Sequence, residues 1–310
     1  MRRRDKYEIK MTGLNQKITR PKLACEITAD SVIAARASER SPRLEVFTSR
    51  RLNEGVIAPG LNSPNVLNPD ALRTALNGAL GAVAGKSRDV IVVLPDVAIR
   101  TVLLDFEALP TKPDEIEPVI RFRLKKSLPF DVDHAMLSYS VTRTNGSIRA
   151  VAAVSPREII EEYEKAFRDI GYEPGVVLPS SLAALGLVDG ERPSLILKVD
   201  PFNITITAVE HQELRLVRTL ENPQSGNFSA VDLSEAVLPS VVFFEDTFAA
   251  HIEKIYIGGI APIQEVAPLL HQQTGAEVLE LAPELAPEQN LNGDNISPPT
   301  MAGIVGALLG

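Results

Sequence analysis

One cysteine, no tryptophan and four histidines set the first limits on this 310-residue chain. Cys25 has no second thiol to pair with, so an intrachain disulfide and a cysteine-rich zinc site are both excluded. His134, His211, His251 and His271 stand in no HxxxH or HExxH spacing, and no metal site is expected. No apolar run approaches the roughly 20 residues that span a bilayer. Residues 1–20 lack the apolar centre of a signal peptide, so the expected location is the cytoplasm. An excess of positive charge is also missing. The net charge of −8 argues against nucleic acid as the main partner.

That charge is unevenly placed. Residues 1–22 hold eight basic residues (Arg2, Arg3, Arg4, Lys6, Lys10, Lys17, Arg20, Lys22) against Asp5 and Glu8, which gives the segment +6 and leaves the body at −14. Such a tail suits an acidic partner or an anionic lipid surface, where each charge adds roughly 1 kcal/mol. The plainer reading is a flexible leader, with Met11 as an alternative start.

The body has the composition of a globular protein, 45% hydrophobic and 23% charged. KLACEITADSVIAARASER and PRLEVFTSRRL read as short strands. NPDALRTALNGALGAVAGK reads as a helix with Asn68 as cap and Pro69 at its first position. VIVVLP follows as a buried strand with AIRTVLLDF beside it. In TKPDEIEPVIRFRLKKSLPFD, Ile116, Ile120, Leu124 and Leu128 recur four apart, with acids at the start and bases at the end, as a helix dipole favours. Asn145-Gly146 between two alternating runs predicts a hairpin. SPREIIEEYEKAFRDIGYEP predicts a helix boxed by Ser155 and Glu158, with Gly171 past its end. Helix, hairpin and helix together predict an α+β insert over 107–174.

In the second half, SLAALGLV reads as helical. SLILKVDPFNITITAVEHQELRLVRTL reads as three strands turning at Asp200-Pro201 and His211-Gln212. VDLSEAVLPSVVFFEDTFAAHIEK is a helix with Leu233, Val237, Val241 and Phe244 on one face. KIYIGGIAPI is a strand, a glycine turn and a helix start, and LAPELAPEQNLNGDNISPP a loop before a last small-residue helix, TMAGIVGALLG. The organisation repeats in kind: two α/β halves with a cleft between them. No GxSxG, HExxH or CxxC motif is present, and adjacent acids such as Glu161-Glu162 read as solvated helix residues, so no hydrolytic centre is expected.

VIVVLPDVAIRTVLLDFEALP, EIEPVIRFRLKKSLPFDVDHAMLSYSV, YEKAFRDIGYEPGVV, IYIGGIAPI and the closing AGIVGALL resemble the PilM family over about residues 23–310. These are actin-like components of type IV pilus assembly related to FtsA. The resemblance implies an actin-like α/β fold of two RNase H-like halves. Residues 23–106 with 175–190 would form the first half, 107–174 the inserted subdomain and 191–310 the second half, behind the tail of 1–22. It implies a groove beside the insert for the cytoplasmic N-terminal segment of a PilN-like inner-membrane protein, with Phe122, Leu124, Leu128, Pro129 and Phe130 as contacts. The protein would sit in the cytoplasm, peripheral to the inner membrane through its partners.

The family holds its nucleotide on two strand turns of the pattern aspartate, apolar, glycine, and on a third glycine turn. Here the first reads Glu26-Ile27-Thr28 and the second Lys198-Val199-Asp200-Pro201, which puts side chains and a carboxylate where glycine lets a phosphate approach. Only Gly258-Gly259 keeps the third pattern, and a tight turn that lets the next helix pack closely is its structural alternative. The loop between Thr219 and Leu233 is short where the family carries a longer helical insertion, so the second-half insertion is trimmed. The leading expectation is a non-catalytic assembly scaffold that needs no cofactor. The alternative is an ATPase in which Glu26 holds magnesium through water, Lys198 meets a phosphate and Gly258-Gly259 carry the adenine of ATP.

Overall fold

The computed structural model describes residues 20–39, 43–144, 146–221, 228–281, 293–294 and 297–310. Two five-stranded sheets have the same topology. In the first, β1 (Leu23–Ile27), β2 (Ser31–Ala37) and β3 (Leu44–Arg51) form an antiparallel meander, and β4 (Asp89–Leu94) and β8 (Glu173–Pro179) add in parallel, in the order β3-β2-β1-β4-β8. In the second, β9 (Ser194–Asp200), β10 (Asn203–Glu210) and β11 (Glu213–Glu221) form the meander, and β12 (Lys254–Gly259) and β13 (Glu277–Glu280) add in parallel, in the order β11-β10-β9-β12-β13. These are the two RNase H-like halves of an actin-like fold.

Local chemistry explains the elements that frame the cleft. The Asn68 side chain accepts the Ala71 N–H at 3.1 Å and caps α1 (Pro69–Val83), whose Leu72, Leu76 and Leu80 are buried on one stripe. His211 and Gln212 both take positive φ, 52° and 60°, the backbone that a two-residue hairpin demands. In α5 (Ala230–Phe248) Ser229 and Asp232 form a reciprocal capping box, and Leu233, Val237, Val241 and Phe244 face the second sheet. Asn145 lies outside the described residues, but Gly146 at φ +96° joins β6 (Met136–Thr144) to β7 (Ser147–Ser155) as the expected hairpin.

The structure redraws the insert. β5 (Arg100–Phe106) pairs with β7 rather than with β4, so a three-stranded sheet in the order β5-β7-β6 carries α2 (Pro113–Leu124) on one face. The helix expected to close the insert, α3 (Arg157–Arg168), packs Ile159, Ile160, Tyr163 and Phe167 into the core of the first half with Leu72, Leu76 and Leu80. Ser155 does not cap it. Its hydroxyl is buried and donates to the Ala98 carbonyl at 2.8 Å, which ties the insert to the end of β4. A stripe of apolar residues fixes which face of a helix is buried, not which sheet buries it.

The last helix, α7 (Ala302–Leu309), is likewise reassigned. It was expected in the second half, yet Ile304, Val305, Ala307 and Leu308 pack on Ala24, Ile33, Ile91 and Ala183 of the first. A further apolar core joins Ile196, Val209 and Leu214 of the second sheet to Ala184 and Ala302, with Leu103 and Val151 of the insert against it. β11 ends at Glu221 and α5 begins at Ala230, so the second half carries only a short connection there.

Candidate functional site

The two hairpin turns meet across the cleft. Each is a two-residue turn, Ala29-Asp30 between Thr28 and Ser31, and Pro201-Phe202 between Asp200 and Asn203. Glu26 and Lys198 therefore occupy matching positions, three residues before the first turn residue of their own half. They face each other: Lys198 Nζ lies 3.8 Å from Glu26 Oε1 and 2.6 Å from Asp200 Oδ1. Lys198 and Glu26 are both about 1% exposed as side chains, because β1 and β9 are central strands covered on both faces.

Further groups hold this cluster. Ser180 Oγ, at the start of α4 (Ser180–Ala184), donates to Glu26 Oε1 at 2.6 Å, and the Ile304 N–H in the first turn of α7 donates to Oε2 at 2.9 Å. A Cβ at residue 303 would lie 2.6 Å from Glu26 Oε1, so only glycine lets α7 approach the carboxylate this closely. Asp96, after β4, accepts from the Ser181 N–H at 3.0 Å and the Ser181 hydroxyl at 2.7 Å. Asp96, Ser180 and Ser181 were not anticipated. The sequence signal is their place at the ends of β4 and β8, on the side of a parallel sheet where ligand sites gather.

Three carboxyl groups thus surround one ammonium. Burial raises the Glu26 pKa, and Lys198 and the hydrogen bond from Ser180 oppose the rise. Burial on its own would lower that of Lys198, but Asp200 and Glu26, with Asp96 behind them, hold it above its ordinary value. Burial and the Asp200 charge push Asp96 up to about 6, against the hydrogen bonds from Ser181. Asp96 Oδ2, Asp200 Oδ2 and Asn203 Nδ2 are buried without a protein partner.

Asp96 predicts a pH dependence. Its carboxyl ionises near 3.8 when unfolded and near 6 in the fold, so the folded chain holds the extra proton between those values. Stability contributed by this group falls as pH rises from about 4 to about 6 and stays low above, by about 3 kcal/mol in all. Asp96→Asn keeps an oxygen for Ser181 and is expected to remove this fall. Urea unfolding of both proteins at pH 4.5 and pH 7 reads the difference, and a gap between them that does not change with pH would refute the assignment.

Above the cluster lies a cavity of about 250 Å³. Asp200, Asn203, Thr28 and Ser180 contribute polar groups, while Ile57, Pro59, Val97, Pro201 and Phe202 make the remaining lining largely apolar. It is smaller than the roughly 300–1,000 Å³ usual for small-molecule sites. The Thr28 hydroxyl is engaged with Asp30 and Ser31 at 2.7 Å each, and the Thr28 N–H closes the hairpin on the Ser31 carbonyl.

Gly258 and Gly259 do not border this cavity. Gly259 has φ +91°, and a Cβ there would overlap the Val199 carbonyl; one at Gly258 would lie 3.3 Å from Ala302. Both are buried at the junction of β12, β9 and the residues leading into α7. The Val199 backbone thus requires glycine at 259, whereas at 258 the neighbours are the side chains of Ala302 and Leu281.

Of the five residues expected beside the partner groove, Phe122 is 61% exposed, with the Lys126 ammonium 5.2 Å from its ring centroid. Pro129 is exposed, and Leu128 and Phe130 are half-buried. Leu124 is fully buried in the core of the insert with Ile116 and Ile120, so it has no surface to offer a partner. Arg121 and Phe122, with Pro113, Glu117 and Lys125, line an open groove of about 770 Å³ along α2.

The comparisons with known proteins agree with this architecture. The chain has an actin-like fold. Among solved structures, the one described as a PilM-PilN type IV pilus biogenesis complex superposes with a TM-score of 0.77 at 18% identity, covering 94% of this chain and 98% of that one. The cytoplasmic domain of EpsL, an inner membrane component of the type II secretion system of Vibrio cholerae, gives 0.54 at 13% identity, covering 92% and 94%. The ethanolamine utilization protein EutJ from Carboxydothermus hydrogenoformans gives 0.51 at 7%, covering 93% and 89%. No protein-family profile and no curated protein sequence matches the chain. Among the described residues, no helix is long and apolar enough to cross a membrane and no cluster of His, Cys, Asp and Glu could hold a metal ion.

Proposed function

We propose that this chain is a non-catalytic actin-like scaffold of a type IV pilus or related secretion platform, in the cytoplasm and peripheral to the inner membrane. It would bind the cytoplasmic N-terminal segment of a PilN-like membrane protein. The observation that carries the non-catalytic reading is Lys198. Its ammonium sits between Glu26 and Asp200, where an actin-like ATPase would bring a metal and phosphates between the two turns. The cation is built in, and its charge is already matched by the carboxylates around it.

A triphosphate entering the cleft would meet the carboxylates of Asp30 and Asp200 at the turns, with Pro201 offering no N–H. The similarity to the pilus complex and to the secretion-system domain supports the choice of machine, and the exposed Phe122 beside an open groove supports a docked peptide. Calorimetric titration with ATP at millimolar Mg2+ is expected to show no saturable heat up to millimolar nucleotide. Saturable binding would overturn the non-catalytic reading. For the partner, Phe122→Glu is expected to weaken binding of a PilN-like cytoplasmic peptide at least about tenfold, as loss of a buried aromatic anchor does. Equal affinity for both proteins would remove the groove from the interface.

A further inference from the structure

The outer face of α5 breaks the usual pattern of a surface helix. Its inner face packs on the second sheet, so the outer face should be polar. Instead it carries Val231 (54% exposed), Leu238 (36%), Val242 (49%) and Phe243 (51%), four of the eight large apolar side chains exposed among the described residues. Val231, Leu238 and Val242 stand at i, i+7 and i+11, which at about 100° per residue places them on one line, and Phe243 lies on the other edge of the exposed face, beyond the acids.

The charges on this face have one sign. Asp232, Glu235 and Asp246 are exposed, and α5 contains no Lys, Arg or His. Pro239, also exposed, has no N–H to offer the Glu235 carbonyl one turn earlier, which leaves that oxygen to accept from another donor. An apolar row edged only by acids and a spare acceptor calls for a segment that is basic and has apolar side chains at intervals.

The sequence contains such a segment. Residues 1–19 carry Arg2, Arg3, Arg4, Lys6, Lys10 and Lys17 against Asp5 and Glu8. After Met1, the apolar residues Tyr7, Ile9, Met11, Leu14 and Ile18 are interspersed with these bases, so the segment offers apolar side chains and positive charge together to the row of Val231, Leu238 and Val242. The charges of the two are complementary. We propose that the outer face of α5 is the docking surface for the amino-terminal segment 1–19 of this chain. Nineteen residues reach at most roughly 60 Å when extended, enough to leave Arg20 in the first half and arrive on the second half of the same or a neighbouring copy. The proposal stands apart from the nucleotide and pilus readings and does not depend on them.

Limited trypsin digestion of the full chain, with cleavage after Lys6, Lys10 and Lys17 followed by mass spectrometry, tests it. Val242→Glu with Phe243→Glu is expected to speed that cleavage at least tenfold while leaving the circular dichroism and Tm unchanged, since both side chains are exposed. Reversing Arg2, Arg3 and Arg4 to Glu, which leaves α5 untouched, should speed cleavage in the same way, as should 0.5 M salt. Equal cleavage rates in the parent protein and in both variants would overturn the proposal. So would a variant that only converts a dimer to a monomer by light scattering while cleavage is unchanged, because α5 would then be covered by a second copy of itself. Faster cleavage together with that loss of mass supports docking on the neighbouring copy, and faster cleavage at constant mass supports docking on the same one.

Discussion

Replacing Lys198 by Met is expected to cost about 3–5 kcal/mol, as breaking a buried ion pair from one side does. The methylene stem is kept, so packing is little changed. What is lost is the ammonium between Asp200 Oδ1 at 2.6 Å and Glu26 Oε1 at 3.8 Å, which leaves buried carboxylates facing one another. A domain of ordinary stability, about 5–15 kcal/mol, would be brought near its limit. Adding Glu26→Gln and Asp200→Asn to Lys198→Met removes the orphaned charge, and the triple variant is expected to recover most of the loss. Urea unfolding of the three proteins distinguishes the outcomes. If Lys198→Met keeps the parent midpoint, the cluster does not hold the halves together.

Gly259→Ala is expected to be damaging for a different reason, with a loss above about 3 kcal/mol. The residue has φ +91°, and its added Cβ would overlap the Val199 carbonyl of the neighbouring strand, to whose oxygen the Ile260 N–H donates at 3.0 Å. The obstruction is the Val199 backbone itself, so no flexible side chain can give way. Gly55→Ala is the control, since its φ of +77° carries a similar local penalty with nothing near the added carbon. It should cost only about 1 kcal/mol. Thermal unfolding monitored by circular dichroism compares the two. Similar losses would mean that the junction of β12 and β9 can open to admit a methyl group.

Both effects depend on contacts that the sequence only partly reveals. Local signals are legible: Asn68 and Pro69 start α1, His211-Gln212 turns a hairpin, and the stripe of Leu233, Val237, Val241 and Phe244 gives the inner face of α5. Two α/β halves are legible because the order of elements repeats in kind, whereas the actin-like class rests on the family resemblance. Partner choice is not. The stripe of α3 and the small residues of α7 show a buried face, and either half could bury it. The same limit hid the ion pair, because Lys198 within SLILKVD shows a charge in an apolar strand but not the strand that faces it. Its matching position with Glu26 becomes meaningful only once the halves are brought together. Phe122 differs: it falls off the Ile116, Ile120 and Leu124 stripe, and its exposure follows from that.

The path of the chain through α7 bears on how the protein is made. The core of the first half includes Ile304, Val305, Ala307 and Leu308, far along the chain from the strands they cover, and the Ile304 N–H completes the bonding of Glu26. Synthesis delivers β1, β2 and β4 early, at about 5–20 residues per second. They remain uncovered on that face until α7 emerges from the ribosome, after the whole second half has been translated. The first half is therefore finished last, and a ribosome that stalls within the second half leaves behind a nascent chain with exposed apolar strands, a substrate for chaperones rather than a folded domain.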